Sequence, residues 1–251
     1  MRLIRSAVLF SSSLVLSTAL ASPAAAPGRL TLKYFDGRGR AETARILLAL
    51  AGEEYDDHRY AMTPGKMESA AFLAAKEAGD LKANLGKAPL LITADGVEIG
   101  QSHAIERYLA RELGFMGSTP VEEALVDCVA EHCRDVRDAQ FRKGFSAFLR
   151  DKTDEEKAAL RAEWFDTDLP AMLGKIDEAI RETGTGGFAV GNKRSLADVA
   201  IWSMLKDCYP PYAEDTAKSA EGCAALKAVV ESVDAEPTVR KWVEERPETL
   251  F

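Results

Sequence analysis

Leu30, Leu32 and Tyr34 alternate with Thr31, Lys33 and Phe35, the two-residue period of a strand with one face on a core. The pattern then changes to a helical stripe, ARILLALAG, with Gly52 as its stop. EYDDHRYAM reads as a second, polar strand, and residues 64–78 as a second helix. LLIT and VEI read as a hairpin joined through Asp95-Gly96 as a two-residue turn, and SHAIERYLARELG as a helix stopped by Gly114. The order β-α-β-α-β-β-α over residues 30–115 predicts a small α/β domain with a mixed sheet.

Beyond Ser118-Thr119-Pro120 the two-residue period disappears, and residues 119–251 predict an all-helical domain. Residues 121–149 and 155–180 carry apolar positions three and four apart over long stretches. Ser195 and Asp198 have the spacing of a capping box opening a further helix, in which Val199-Ala-Ile-Trp202 is apolar enough to lie in a core. Two more helices are expected near residues 220–233 and 237–245.

The first residues read differently. Arg2 and Arg5 precede an apolar, serine-diluted run that ends at Ala19-Leu20-Ala21, a small-x-small cleavage pattern. Residues 1–21 are therefore expected to be a signal peptide and residues 22–29 a linker. The run is shorter than the roughly 20 residues a membrane span needs. Cleavage would remove Arg2 and Arg5 and take the formal charge from −8 to −10. The expected location is the secretory pathway, secreted or luminal, with an organelle reached through a bipartite signal as the alternative. After removal of the leader no membrane association is expected.

Net charge −8 and a pI near 5.1 argue against a nucleic-acid binder that neutralises phosphates. Of the four cysteines, Cys128 and Cys133 are five apart on a helix, too far to bridge, whereas Cys208 with Cys223 is conceivable. There is no CxxC. Cys128, His132 and Cys133 read as helix packing rather than metal ligands, and no metal is expected.

Candidate chemistry concentrates after the first strand. Gly37-Arg38-Gly39-Arg40 sits at a strand-to-helix junction, where open α/β sheets hold ligands, and two arginines there suggest an anionic one. Arginine at a helix N-terminus opposes the helix dipole, so each needs another interaction. Glu42 stands where GxGxxG requires its third glycine, which excludes a dinucleotide loop.

Five motifs in order resemble those of the soluble glutathione S-transferases of the tyrosine type, closest to the sigma class. They are Tyr34-Phe35 with Arg38-Gly-Arg40, Lys87-Ala-Pro89, Gly100-Gln-Ser-His-Ala-Ile105, Ala124-Leu-Val-Asp127 with Asp135-Val-Arg137, and Gly191-Asn through Asp198. The resemblance covers roughly residues 30–247. It implies a thioredoxin-like N-terminal domain with a mixed four-stranded sheet, followed by an all-α C-terminal domain that supplies the electrophile pocket. It makes Tyr34 the catalytic residue, and Phe35, Arg40, Lys82, Lys87, Ala88, Pro89, Gln101, Ser102 and Asp135 the glutathione-binding set. Pro89 would follow a cis bond that turns the Ala88 backbone toward the tripeptide. Asp135 would reach the γ-glutamyl amine of the other subunit of a homodimer. Arg38 would be structural, and His103 a packing or surface residue. Glutathione would be a co-substrate, with no further cofactor, and the second substrate a small hydrophobic electrophile. The family often places a tryptophan near the glycyl carboxylate; residues 62–83 contain none, and Lys82 is the expected substitute.

The implied chemistry is physically coherent. A thiol near pKa 8.5 is only a few per cent ionised at neutral pH, and only the thiolate is nucleophilic. A hydroxyl donor at the sulfur favours the charged form, and a phenol stays protonated at neutral pH to supply one. Three activities fit the motifs: transfer of glutathione to apolar electrophiles, a glutathione-dependent isomerisation of the prostaglandin-synthase kind, and a non-catalytic, crystallin-like binding role. The electrophile pocket is expected between the loop at residues 34–37, the helix at residues 128–148 and the C-terminus.

Overall fold

The computed structural model describes residues 28–63, 68–146, 151–207 and 210–249. The expected leader, the linker as far as residue 27, the start of the expected second helix at residues 64–67, and Cys208 lie outside the described residues.

Four strands, β1 (Leu30–Phe35), β2 (Tyr55–Tyr60), β3 (Leu90–Ile92) and β4 (Glu98–Gly100), form one sheet in the order β2-β1-β3-β4. β1 runs parallel to β2 and antiparallel to β3, and β3 pairs antiparallel with β4. This is the mixed thioredoxin-like sheet. Leu32 and Tyr34 face the core, as alternation requires. β3 pairs only as far as Lys33, so Tyr34 and Phe35 continue past it at the open end of the sheet.

α1 (Glu42–Ala51) and α3 (Ser102–Glu112) pack together, and α2 (Ala70–Ala78) begins later than periodicity suggested, at the Ser69 cap. Gly52 ends α1 with φ +66. The β3–β4 connection also differs from expectation. Thr93 bonds Val97 across three residues, Ala94 to Gly96, with Gly96 at φ +85. A type I turn closed by a left-handed glycine is the usual form of a three-residue hairpin connection.

The remainder is helical. α4 (Pro120–Lys143) starts at the Thr119 cap and stops at Gly144, φ +79, short of the expected end. α5 (Asp154–Glu163) and α6 (Leu169–Thr183) are one expected helix divided by a π-turn, Trp164–Asp168. Pro170, which lacks the N–H that an unbroken ladder would use, comes two residues after the turn, behind Leu169. α7 (Leu196–Leu205) is buried along nearly all of its length and packs on α4, α9 (Ala224–Asp234) and α1. α8 (Ala213–Ser219) had no legible signal; it is short and follows Pro210-Pro211. α10 (Pro237–Glu245) returns to pack against α1 of the sheet domain.

The capping box stands. Asp198, fully buried, accepts from the Ser195 amide (2.7 Å), the Ser195 hydroxyl (2.9 Å) and the Ala189 amide (2.8 Å). Burial pushes its carboxyl above the ordinary range, against these donors and Arg194. Cys133 and Cys223 are buried free thiols, and Cys208, the conceivable partner of Cys223, lies outside the described residues. Burial pushes the Cys133 thiol up to about 12, which makes it a packing residue.

Candidate active site

Tyr34 is nearly buried, yet its ring forms part of the wall of an open cleft of about 400 Å³ between the sheet domain and the helices. Its phenol oxygen accepts the Arg40 backbone N–H at 3.1 Å. That bond uses a lone pair and leaves the phenol's own proton free to donate into the cleft; accepting one hydrogen bond strengthens the donor. The Arg45 guanidinium lies 6.0 Å from the ring centroid.

The loop that delivers Arg40 is held from several sides. Gly39 has φ +39, and a Cβ there would sit 2.6 Å from the Tyr34 oxygen, so only glycine fits. Arg38 satisfies its charge on Asp207, 3.0 Å away, as expected of a structural arginine. Arg45, fully buried in α1, donates to the Gly37 carbonyl (2.7 Å), to Glu42 (3.1 Å) and to Asp57 (3.2 Å). Glu42, 1% exposed, also accepts from the Trp242 indole and from Arg246, both at 2.8 Å. Burial raises the Glu42 carboxyl, but Arg45, Trp242 and Arg246 outweigh it and hold it below the ordinary range. Arg246 reaches Asp207 as well, at 2.9 Å. At Asp207 the balance is opposite: burial and the nearby Glu42 raise it, and its two arginines only partly compensate.

Arg40 and Ser102 share the cleft with Tyr34. Ser102 opens α3, preceded by Gln101 at φ +69, a strained value for a side-chain-bearing residue. The Ala88-Pro89 bond is cis. Asn84 ties these pieces together: its amide donates to the Pro89 carbonyl (2.7 Å) and its oxygen accepts the Gln101 amide (3.1 Å). Gly100 allows this, since a Cβ there would meet Asn84 at 2.7 Å. Lys87, Ala88, Pro89, Gln101 and Ser102 thus gather at one end of the β3–β4 hairpin, with Ser102 at the cleft itself. Lys82 and Lys87 are exposed.

Two expected residues do not join them. Phe35 points away from the cleft and packs on Phe72 and Tyr60, with ring centroids 4.7 and 6.5 Å away. That is the consequence of strand alternation: the neighbour of a core-facing tyrosine lies on the opposite face. Asp135 sits exposed at a separate cleft of about 230 Å³ between α4 and α6, beside His132 and Lys175.

The far wall of the main cleft is apolar, formed by Phe141, Phe145, Leu169, Met204 and Tyr212. Phe141 is 71% exposed, an open flank. Among the described residues α10 packs on α1, and the end of α7 with the segment around Tyr212 and Thr216 lines the cleft where the C-terminus was expected. His103 lines the cleft too, its Nδ1 3.2 Å from Glu106, rather than serving only as packing. Among the described residues no group of three or more His, Cys, Asp and Glu is placed to hold a metal, and no helix is long and apolar enough to cross a membrane.

Comparison with known proteins agrees with this geometry. A model of the glutathione S-transferase N-terminal domain matches residues 30–111, and one of the C-terminal domain matches residues 139–246. The chain is 32% identical over 222 residues to a probable glutathione S-transferase 5 of Caenorhabditis elegans, covering 88% of this chain and 98% of that one. It is 34% identical over 220 residues to a hematopoietic prostaglandin D synthase of Gallus gallus, with the same coverage. Among solved structures, a Nu-class enzyme of Haemonchus contortus superposes with a TM-score of 0.72 at 30% identity, over 88% of this chain and 98% of that one.

Proposed function

Because the chain belongs to the glutathione S-transferase family, we propose that it holds glutathione as a thiolate against Tyr34 and transfers it to small apolar electrophiles. The observation that carries this reading is the single cleft in which Tyr34, Arg40 and Ser102 face an apolar wall. In this reading the Tyr34 phenol donates to the sulfur, and the amides and hydroxyl at the start of α3 receive the γ-glutamyl carboxylate. The Ala88 backbone pairs with the tripeptide as an added strand, Gln101 adds a polar contact, and Lys82 and Lys87 serve the glycyl end. The sulfur then attacks an electrophile on the Phe145–Met204 wall: the S–C bond forms as the leaving group departs with the electron pair. Phe35 supports Tyr34 from the opposite face instead of touching the ligand.

Titrating thiolate absorbance of bound glutathione, together with turnover of a generic aryl halide, tests this. Tyr34→Phe should keep glutathione binding but raise the thiol pKa and cut turnover. An unchanged thiol pKa sinks the assignment.

Likeness to the Gallus gallus synthase supports a second reading, isomerisation of a peroxide opened by the same thiolate. Product analysis with a prostaglandin endoperoxide distinguishes it. The intact Tyr34, Arg40 and Ser102 arrangement favours either activity over a crystallin-like binding role. We also propose secretion through the leader, and a homodimer in which Asp135 reaches the partner's glutathione. A monomer by sedimentation at micromolar concentration removes Asp135 from the site.

A further inference from the structure

The catalytic tyrosine is oriented by a loop, and that loop is anchored from the far end of the chain. The Tyr34 oxygen is bonded to the Arg40 amide; two residues earlier, Arg38 leaves the loop to pair with Asp207. Asp207 lies just past the end of α7 and is nearly buried. Its Oδ1 is shared with Arg246, whose Nη1 also takes Glu42 Oε1 at the first position of α1. One guanidinium beyond α10 thus pins both borders of the segment between Arg38 and Glu42. Gly39 has no side chain to brace that segment itself, and among the described residues the bond from the Arg40 amide to Tyr34 is the one side-chain hydrogen bond made by Gly39 or Arg40. The clamp therefore limits how the Arg40 amide can move relative to the phenol.

We propose that Arg246 and Asp207 are positioning residues for the reaction, setting the Arg38–Arg40 loop so that the Tyr34 phenol meets the sulfur of bound glutathione. This rests on the function proposed above. Asp207 borders the cleft with its carboxylate tied to Arg38 and Arg246, Arg246 does not line it, and neither residue is bonded to Tyr34. Their effect passes through Arg38 and the Arg40 amide, and a small displacement at a reacting centre is enough to cost catalysis heavily.

The same titration of bound thiol reads this out, with Tyr34→Phe beside it. Arg246→Ala should leave roughly tenfold less thiolate at neutral pH and lower kcat for the aryl halide in proportion, with KM for glutathione little changed. Arg246→Lys, which keeps a charge at the end of a long side chain, should recover part of the loss. Trp242→Phe removes the indole bond to Glu42 from the same helix but leaves Asp207 and its arginines in place. It should lower the melting temperature with the thiol pKa unmoved. Asp207→Asn, of the same shape without the charge, should resemble Arg246→Ala and serves if that variant does not fold. If Arg246→Ala and Asp207→Asn lower the melting temperature yet leave thiol pKa and kcat at wild-type values, the clamp is structural only and the proposal falls. If Tyr34→Phe also leaves the thiol pKa unmoved, it is the function reading that fails.

Discussion

Gly39→Ala offers the sharpest test of how the tyrosine is placed. At φ +39 an alanine pays the left-handed penalty, about 1–2 kcal/mol. Its methyl would also lie 2.6 Å from the Tyr34 oxygen and 3.2 and 3.3 Å from two ring carbons, closer than such contacts are tolerated. The phenol must give way by several tenths of an ångström, on the side where it meets the Arg40 amide. Gly52→Ala separates the two effects. Gly52 has φ +66 at the end of α1, and nothing lies within 4 Å of an added Cβ. For a chain of this size both variants should lose about 2–8 °C in melting temperature. Only Gly39→Ala should also lose aryl-halide turnover, on the order of 10–100-fold, with a raised thiol pKa. Equal turnover in the two variants refutes the placement of the phenol by this loop.

Two further outcomes follow from buried carboxylates. Asp198→Ala strands three buried donors, Ala189 N, Ser195 N and Ser195 Oγ, and should cost about 2–4 kcal/mol, read as a fall of about 4–16 °C, while the folded fraction keeps its glutathione affinity. Normal stability with lost affinity would make Asp198 a ligand residue instead. Glu42 lies below its ordinary value, so the folded state binds its proton more weakly than the unfolded chain does. Its contribution is therefore present above the unfolded value near 4.5 and is lost as pH falls through the folded one. Asp198 and Asp207, raised instead, contribute in the opposite sense. Denaturant titrations across this range should show a shallower acid-side loss for Glu42→Gln; an unchanged slope refutes the assignment.

The local signals were legible where a single element carries them. Alternation located β1 and turned Tyr34 to the core, and the spacing of Ser195 and Asp198 announced the helix they open. What stayed hidden depends on partners far away in sequence. Arg45 sits among Ile46, Leu47 and Leu48 and reads as the solvated edge of an apolar helix, yet it is fully buried because β2 brings Asp57 beside it. An arginine inside an apolar run, with Asp56-Asp57 in the next strand, was the available signal. Asn84 belongs to no motif, and its role exists only once the hairpin brings Pro89 and Gln101 to either side of it. Phe35 was named through motif adjacency, although the two-residue period already set its ring on the opposite face from Tyr34, where it packs on Phe72 and Tyr60. Nothing in the periodicity of residues 237–245 distinguished a helix lining the cleft from one packed on α1.

The bonds from Glu42 to Trp242 and Arg246 have a consequence for biosynthesis. Glu42 and Arg246 are separated by 204 positions. At elongation rates of about 5–20 residues per second, the carboxylate emerges roughly 10–40 s before its last partner is made. A sheet domain that folds during translation therefore presents the start of α1 open to water until α10 arrives. A chain arrested before that helix would keep this acidic opening exposed, a chemical mark by which quality control could tell unfinished molecules from finished ones.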